Sequence, residues 1–415
     1  MASIVLGVTV LTGPARATGA EQRASGHHEL TQEALDRLVA EAGMPGVAAQ
    51  ARDGGGVWSG TAGVADLDTG RERSAADHFR AASITKTFLA TLVLQLEAAG
   101  KLALDDSVDR WLPGVIRGNG NDGRRISVRQ LLQQTSGLFS FSDDPELLKL
   151  YRGEGFLKHR YDTFAPEDVL SAALRHRPLF EPGKGWAYSN TNYLVAGMVV
   201  EAVTGHSYRD EIERRILRPL KLRETSFPGT DPTLPAPHPV AYSTLGVQEP
   251  HAEVHDATEY NTTMWAGSAD LVSTTGDINR FLTALLGGKL LPAAQMRAML
   301  QSVRVPEGAL MDHYGLGLMG RDLSCGKTVW GHDGSLNGSL SHASGTVGGR
   351  HLLTFNINGD WLTLQTAQFF QDVMEAEFCG KKPGGKHGTK PGTTPGTTPP
   401  EKYSRQPAFG IARPH

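Results

Sequence analysis

The chain has 415 residues, of which 39% are hydrophobic and 20% charged, and its formal net charge is −3. That is long and apolar enough for two subdomains around a sizeable core, and it gives no overall positive field of the kind that marks a nucleic-acid binder. The apolar run Ile4 to Leu11 is far too short to span a bilayer.

In chain order, that run and the Ala15-Arg16-Ala17 pattern behind it read as a secretory leader within residues 1–20, so export is expected. Glu29 to Ala42 repeats Leu30, Ala34, Leu35, Leu38 and Val39 at helical spacing. Val47 to Ala51 and Val57 to Val64 read as strands joined by Asp53-Gly54-Gly55-Gly56, a hairpin signal. An apolar helix follows from about Ser83 through Leu96. Further helices are predicted over Ile126–Leu138, Pro166–His176, Asn192–Thr204 and Asp277–Leu286. Thr230–Pro239 is Pro-rich and reads as a surface loop. Strand signals return at Thr328–His332, Ser339–Ser344 and Leu352–Ile357, and Leu364–Phe378 reads as a closing helix. The ends supply a sheet and its flanking helices, and the middle, about 100–260, supplies a mainly helical insertion. This is an α+β pattern.

Residues 381–415 change composition. They are rich in Lys, Gly, Pro and Thr and carry seven Lys and Arg against one Glu. Such a segment buries too little apolar surface to fold alone and reads as a disordered tail. Two cysteines, Cys325 and Cys379, in an exported chain point to one disulfide, with a pair of buried thiols as the alternative.

Four stretches carry chemistry. Ser83-Ile84-Thr85-Lys86 is an S-x-x-K pair. On a helix, residues three apart share a face, so the amine sits beside the hydroxyl. A serine needs an adjacent base, and burial lowers a lysine's pKa enough for it to serve. The bland reading of Ser83 is a helix N-cap. A second S-x-x-K, Ser324 to Lys327, shows how little the motif means alone. Tyr188-Ser189-Asn190 precedes a predicted helix and offers a phenol to relay protons and an amide to hold a carbonyl. Met264 to Leu271 contains Trp265, a candidate cleft wall or core residue. Trp330-Gly331-His332-Asp333-Gly334-Ser335 ends a predicted strand with a glycine that lets another backbone lie close.

Together, in this order, these motifs resemble the serine penicillin-binding protein and class C β-lactamase family over residues 29–380, and most of all its secreted actinomycete D-alanyl-D-alanine carboxypeptidases. The resemblance implies a β-lactamase/transpeptidase-like fold, an antiparallel sheet flanked by helices plus a helical subdomain. It implies that Ser83 is the acylated nucleophile and that Lys86 and Tyr188 share the proton transfers. Asn190 would orient the substrate amide, and His332 stands where many relatives carry lysine. The backbone N–H groups of Ser83 and Ser335 would form the oxyanion hole. Implied partners are a peptidoglycan-type peptide or related acyl substrate, with β-lactams as covalent ligands. No cofactor and no metal are implied.

Two positions depart from the carboxypeptidase pattern. Asp333 follows the third-motif histidine where relatives have a hydroxyl residue, and Met319 stands where they carry arginine, with Arg321 nearby. A carboxylate at 333 facing the cleft would repel a substrate's terminal carboxylate, so amides, esters or longer peptides are expected to be favoured. Other activities within the family are an esterase, a D-amino-acid peptidase or amidase, and a β-lactamase. A peptidoglycan-binding module with dead chemistry is the non-enzyme alternative, and intact Ser83, Lys86, Tyr188 and Asn190 argue against it. The chain has no G-x-S-x-G elbow, and His251-Ala252-Glu253-Val254-His255 is not the H-E-x-x-H zinc motif.

Overall fold

Eight strands form one antiparallel sheet: β1 (Gly46–Asp53), β2 (Gly56–Gly63), β3 (Val303–Arg304), β4 (His313–Tyr314), β5 (Met319–Asp322), β6 (Thr328–Leu336), β7 (Ser339–Gly345) and β8 (Leu352–Ile357). Their spatial order is β2-β1-β8-β7-β6-β5-β4-β3, so β1 near the start of the chain lies against β8 near its end. The computed structural model describes residues 19–247, 252–306, 309–361 and 364–384. The leader expected in 1–20 and the tail expected in 381–415 therefore lie, but for 19–20 and 381–384, outside the described residues.

Five helices position the site: α1 (Gly19–Ala40), α2 (Thr85–Ala98), α3 (Asn190–Thr204), α4 (Thr275–Leu286) and α5 (Leu364–Cys379). Helices cover both faces of the sheet, so β8 is buried along its whole length. Its side chains still divide with a period of two. Leu353, Phe355 and Ile357 join Leu35 and Leu38 of α1 and Val373, Met374 and Phe378 of α5 in one core. Leu352 joins Phe88, Leu89, Ile278 and Phe281 in the other. Helix α2 is buried all round from Thr85 to Leu94, as a helix without a polar face must be.

Two expected elements have different bounds. The helix expected over Ile126–Leu138 is limited to Val128–Leu132. Ser127 and Gln130 close its first turn with a capping box, and Gln134 at φ 64° turns the chain out of the helical region. Strand β6 does not stop at His332 but runs on to Leu336, paired with β7 from Trp330 onward.

Cys325 and Cys379 form a disulfide that ties the β5–β6 turn to the end of α5, closing a loop of 54 positions. Thiol titration of the unfolded, unreduced protein is expected to find no free thiol. Reduction is expected to lower stability by up to about 4 kcal/mol, the chain-entropy figure for a loop of this size, measured as a fall in the denaturation midpoint.

Candidate active site

The strand Phe79–Ala82 pairs with Leu271–Ser273 in a short ribbon and leads into Ser83. Ala82 sits at φ 51°, a left-handed conformation that side chains other than glycine rarely adopt. Strain of this kind collects where a reactive group must be presented on a sharp turn. Helix α2 starts at Thr85 and its N-cap position is Ile84, so Ser83 does not fill the capping role. Thr85 Oγ1 donates to the Ala82 carbonyl (2.6 Å) and accepts from the Leu271 N–H (3.1 Å), which fixes the turn to the ribbon. Strand β6 passes directly against it. A Cβ on Gly334 would lie 2.3 Å from the Ala81 carbonyl oxygen, so glycine is what permits this approach.

Lys86, one turn along, is fully buried. Its Nζ lies 2.9 Å from Ser83 Oγ, 2.8 Å from Asn190 Oδ1 and 2.8 Å from the Ser268 carbonyl oxygen. All three neighbours are uncharged. Burial therefore holds the Lys86 pKa well below the ordinary lysine value, and only Asp270 acts in the other direction. A neutral amine here would donate to Asn190 and Ser268 and accept the Ser83 hydroxyl proton, which is the geometry of a general base.

Tyr188 precedes α3 and packs its ring 4.8 Å from Lys86 Nζ. Burial, then the neighbouring Tyr314, pushes its phenol well above the ordinary tyrosine value, while a hydrogen bond with Ser83 opposes them. The phenol is thus a proton donor at neutral pH. Base and acid are separated because the two environments drive the two pKa values in opposite senses. Asn190, the first residue of α3, is held on three sides. Besides Lys86, its Nδ2 donates to Ser142 Oγ (3.0 Å) and its backbone N–H to Ser140 Oγ (3.1 Å).

His332 is buried with Nδ1 donating to the Asp333 carbonyl (2.6 Å) and Nε2 3.2 Å from Tyr314 Oη. Burial, with the nearby Lys86, lowers its pKa to about 3, so the ring is neutral. Trp265, half-buried, meets the Tyr151 ring edge-to-face with centroids 5.1 Å apart and lies 5.7 Å from Phe141.

Asp333 corrects the expectation drawn for it. His332 and Asp333 are neighbours on a strand, so their side chains leave opposite faces. The Asp333 carboxylate lies on the face away from His332, ion-paired with Arg321 and 2.6 Å from His342 Nδ1. His342 Nε2 continues the chain to Ser344 Oγ at 2.8 Å. Arg321 and His342, against the cost of burial, hold the Asp333 carboxyl down at about 2. It is an ionised, neutralised group behind the strand and not a free negative charge in the cleft. Met319 is buried with Val305, Met311 and Tyr314, and Trp186 and Tyr188 pack against this apolar cluster.

Several groups in the site were not singled out from the sequence. Ser142 holds Asn190, and the Ser268 carbonyl holds Lys86. Asp270 fixes the loop that carries Ser268: it accepts from Tyr208 Oη (2.5 Å) and Arg209, and the Gly267 N–H donates to the same Tyr208 oxygen. None of these has a sequence spacing that links it to Ser83. On the β5 side, β6 has no strand partner among the described residues beyond Gly331.

The β-lactamase family model matches residues 31–374. The chain belongs to the β-lactamase family. Among solved structures of that fold, a D-stereospecific amidohydrolase from Streptomyces sp. is 47% identical, with a TM-score of 0.79 over 85% of this chain and 99% of that one. The D-amino acid amidase from Ochrobactrum anthropi SV3, complexed with D-phenylalanine, is 26% identical with a TM-score of 0.74 over 86% of this chain and 99% of that one. Among curated relatives, penicillin-binding protein 4* of Bacillus subtilis (strain 168) is 29% identical over 61% of this chain and 55% of its own length. Esterase EstB of Burkholderia gladioli is 33% identical over 54% and 59%. The chain thus matches a little over half the length of these two proteins. Penicillin-binding protein 4 of Amycolatopsis lactamdurans matches more fully, at 26% identity over 84% of this chain and 89% of its own. Among the described residues of this β-lactamase-family chain no helix is long and apolar enough to cross a membrane.

Proposed function

We propose that this enzyme hydrolyses D-aminoacyl amides and related esters through an acyl-enzyme on Ser83, and that terminal D-alanyl-D-alanine cleavage is at most a side activity. The observation that carries this reading is the Arg321–Asp333 pair. Arg321 is the cation the sequence offered for a substrate's terminal carboxylate, and it is already neutralised on the far face of β6. Met319, in place of the relatives' arginine, adds an apolar group. The 47% identity to the Streptomyces amidohydrolase supports the same substrate class.

In this reading Ser83 Oγ attacks the scissile carbonyl as Lys86 takes its proton. The oxyanion forms against the backbone N–H groups of Ser83 and Ser335. Tyr188 protonates the departing amine, and water then releases the D-amino acid by the reverse proton path. Asn190 and the neutral His332 hold the substrate, and Trp265 walls the acyl side. β-Lactams would acylate the same serine. The enzyme would work outside the cytoplasm, where the Cys325–Cys379 bond persists.

The test is a substrate panel of D- and L-phenylalanine amide, a D-Ala-D-Ala peptide and nitrocefin. D-Amide is expected to exceed L-amide in kcat/KM by about two orders of magnitude, the loss that a misplaced reacting carbon brings. The D-Ala-D-Ala peptide is expected to trail the D-amide. Fast release of terminal D-alanine with slow amide turnover would reverse the assignment.

A further inference from the structure

We propose that Arg209 is a remote positioning residue of the site: it neutralises the buried carboxylate of Asp270, so that Asp270 can hold the Ser268 carbonyl against Lys86 without keeping that amine protonated. The inference rests on the reading of Lys86 as general base given above, and it is independent of which acyl group the enzyme prefers. The Ser268 carbonyl belongs to a tight turn. The Ser268 and Ala269 N–H groups both donate to the Trp265 carbonyl, each at 2.9 Å. Gly267, at φ 70°, donates its N–H to Tyr208 Oη (2.8 Å) and to Asp270 Oδ1 (3.2 Å). Asp270 Oδ2 accepts from Tyr208 Oη (2.5 Å) and from Arg209 Nε (3.0 Å) and Nη2 (2.9 Å). Asp270 therefore ties the turn to the helix Tyr208–Ile212, and the turn delivers its carbonyl to Lys86 Nζ at 2.8 Å.

A carboxylate suits this task because it accepts from several donors at once. Its charge, however, works against the base. A general base must be neutral before it can take a proton, and a nearby anion favours the protonated amine. Asp270 is fully buried, and it is the anion felt at Lys86. The other groups around the amine carry no charge. From α3 and the segment before it come Asn190 and the phenols of Tyr188 and Tyr193, both held well above the ordinary tyrosine value by burial. From β6 comes the neutral ring of His332.

The balance at Lys86 thus falls to Asp270 and the cation that faces it. That cation is Arg209, half-buried, with the Tyr208 ring and, on α3, Glu201 as its other neighbours. The two ends of one ion pair act on Lys86 with opposite signs and largely cancel, whereas either end alone does not.

The experiment follows kcat/KM against pH with p-nitrophenyl butyrate, an ester that tests the base without requiring a D-aminoacyl group. The proteins are wild type, Arg209→Lys, Arg209→Gln, Asp270→Asn and the double variant Arg209→Gln/Asp270→Asn. The acid limb of the profile reports the group that must lose its proton. Arg209→Gln is expected to move that limb up by about one pH unit, the lower end of what a nearby charge does to a pKa, so that rate lost on the limb returns in alkaline buffer. Arg209→Lys is expected to keep the wild-type limb. Asp270→Asn leaves the cation alone and is expected to move the limb down. The double variant leaves neither charge and is expected to bring it back close to wild type. An Arg209→Gln enzyme that loses the same factor at every pH, or a double variant whose limb stays where Arg209→Gln puts it, would overturn the proposal. Should Arg209→Gln not fold, an unmoved limb in Asp270→Asn overturns it instead. Acylation at wild-type speed in Lys86→Ala defeats the base reading itself. These shifts in an enzyme that leaves D-phenylalanine amide intact defeat the substrate assignment alone.

Discussion

Ser83→Ala is expected to remove turnover and covalent labelling together. Intact mass after incubation with a penicillin is expected to show one adduct on wild type, none on Ser83→Ala, and one on Ser324→Ala. The Ser324 Oγ and backbone N–H are both spent on the carboxylate of Glu375, and Lys327 Nζ donates to the Phe378 carbonyl. Nucleophile and base act as a unit, so either loss costs about as much as both, on the order of six decades in kcat in a well-studied serine hydrolase. Lys86→Ala is therefore expected to lie close to Ser83→Ala in rate. An adduct that persists in Ser83→Ala, or acylation at wild-type speed without Lys86, would move the site elsewhere.

The second large effect concerns stability. Arg321 and Asp333 are both buried and paired. Arg321→Met leaves the carboxylate with His342 as its remaining partner, and removing one member of a buried pair typically costs about 3–5 kcal/mol. Thermal melts are expected to show that loss. Arg321→Met combined with Asp333→Leu is expected to recover much of it, since no buried charge is then stranded. A single mutant as stable as wild type would mean that the pair is solvated. The same region sets the acid limit. His332 has a folded pKa of about 3 against an ordinary 6.5, so the unfolded chain takes up the proton first and stability falls as pH drops below about 6.5. Asp333 and Glu377, both held at about 2 against ordinary values of 3.8 and 4.5, add a further loss between about pH 4.5 and 2. His28, His351 and Thr31 are the hydrogen-bonding partners that stabilise ionised Glu377.

Ser83 and Lys86 were legible because they are close in sequence: one helical turn brings them to 2.9 Å. Tyr188, Asn190 and His332 were legible as motifs, though no spacing rule connects residues on three separate elements. Asp333 was misplaced by analogy. The resemblance carried over the cleft-facing position that relatives have after the third-motif histidine, and the strand was read only as far as His332. Once β6 runs to Leu336, alternation sends it behind the sheet. The sheet and its covering helices could be read from hydrophobic period and turn residues. The helix expected over Ile126–Leu138 was overextended because the turn at Gln134 has no glycine or proline to announce it. Ser142, Ser268 and Asp270 depend on the paths of long connections, which local pattern does not encode.

Behind β6, Ser344, His342 and Asp333 stand in the order and at the spacing of a charge-relay hydrolase: hydroxyl to imidazole 2.8 Å, imidazole to carboxylate 2.6 Å. All three are buried, Asp333 at 6% exposure, Ser344 at 2% and His342 at 1%. A fluorophosphonate probe is expected to label Ser83 and to leave Ser344 untouched, because the Ser344 hydroxyl is tied to His342 in the buried layer behind the sheet.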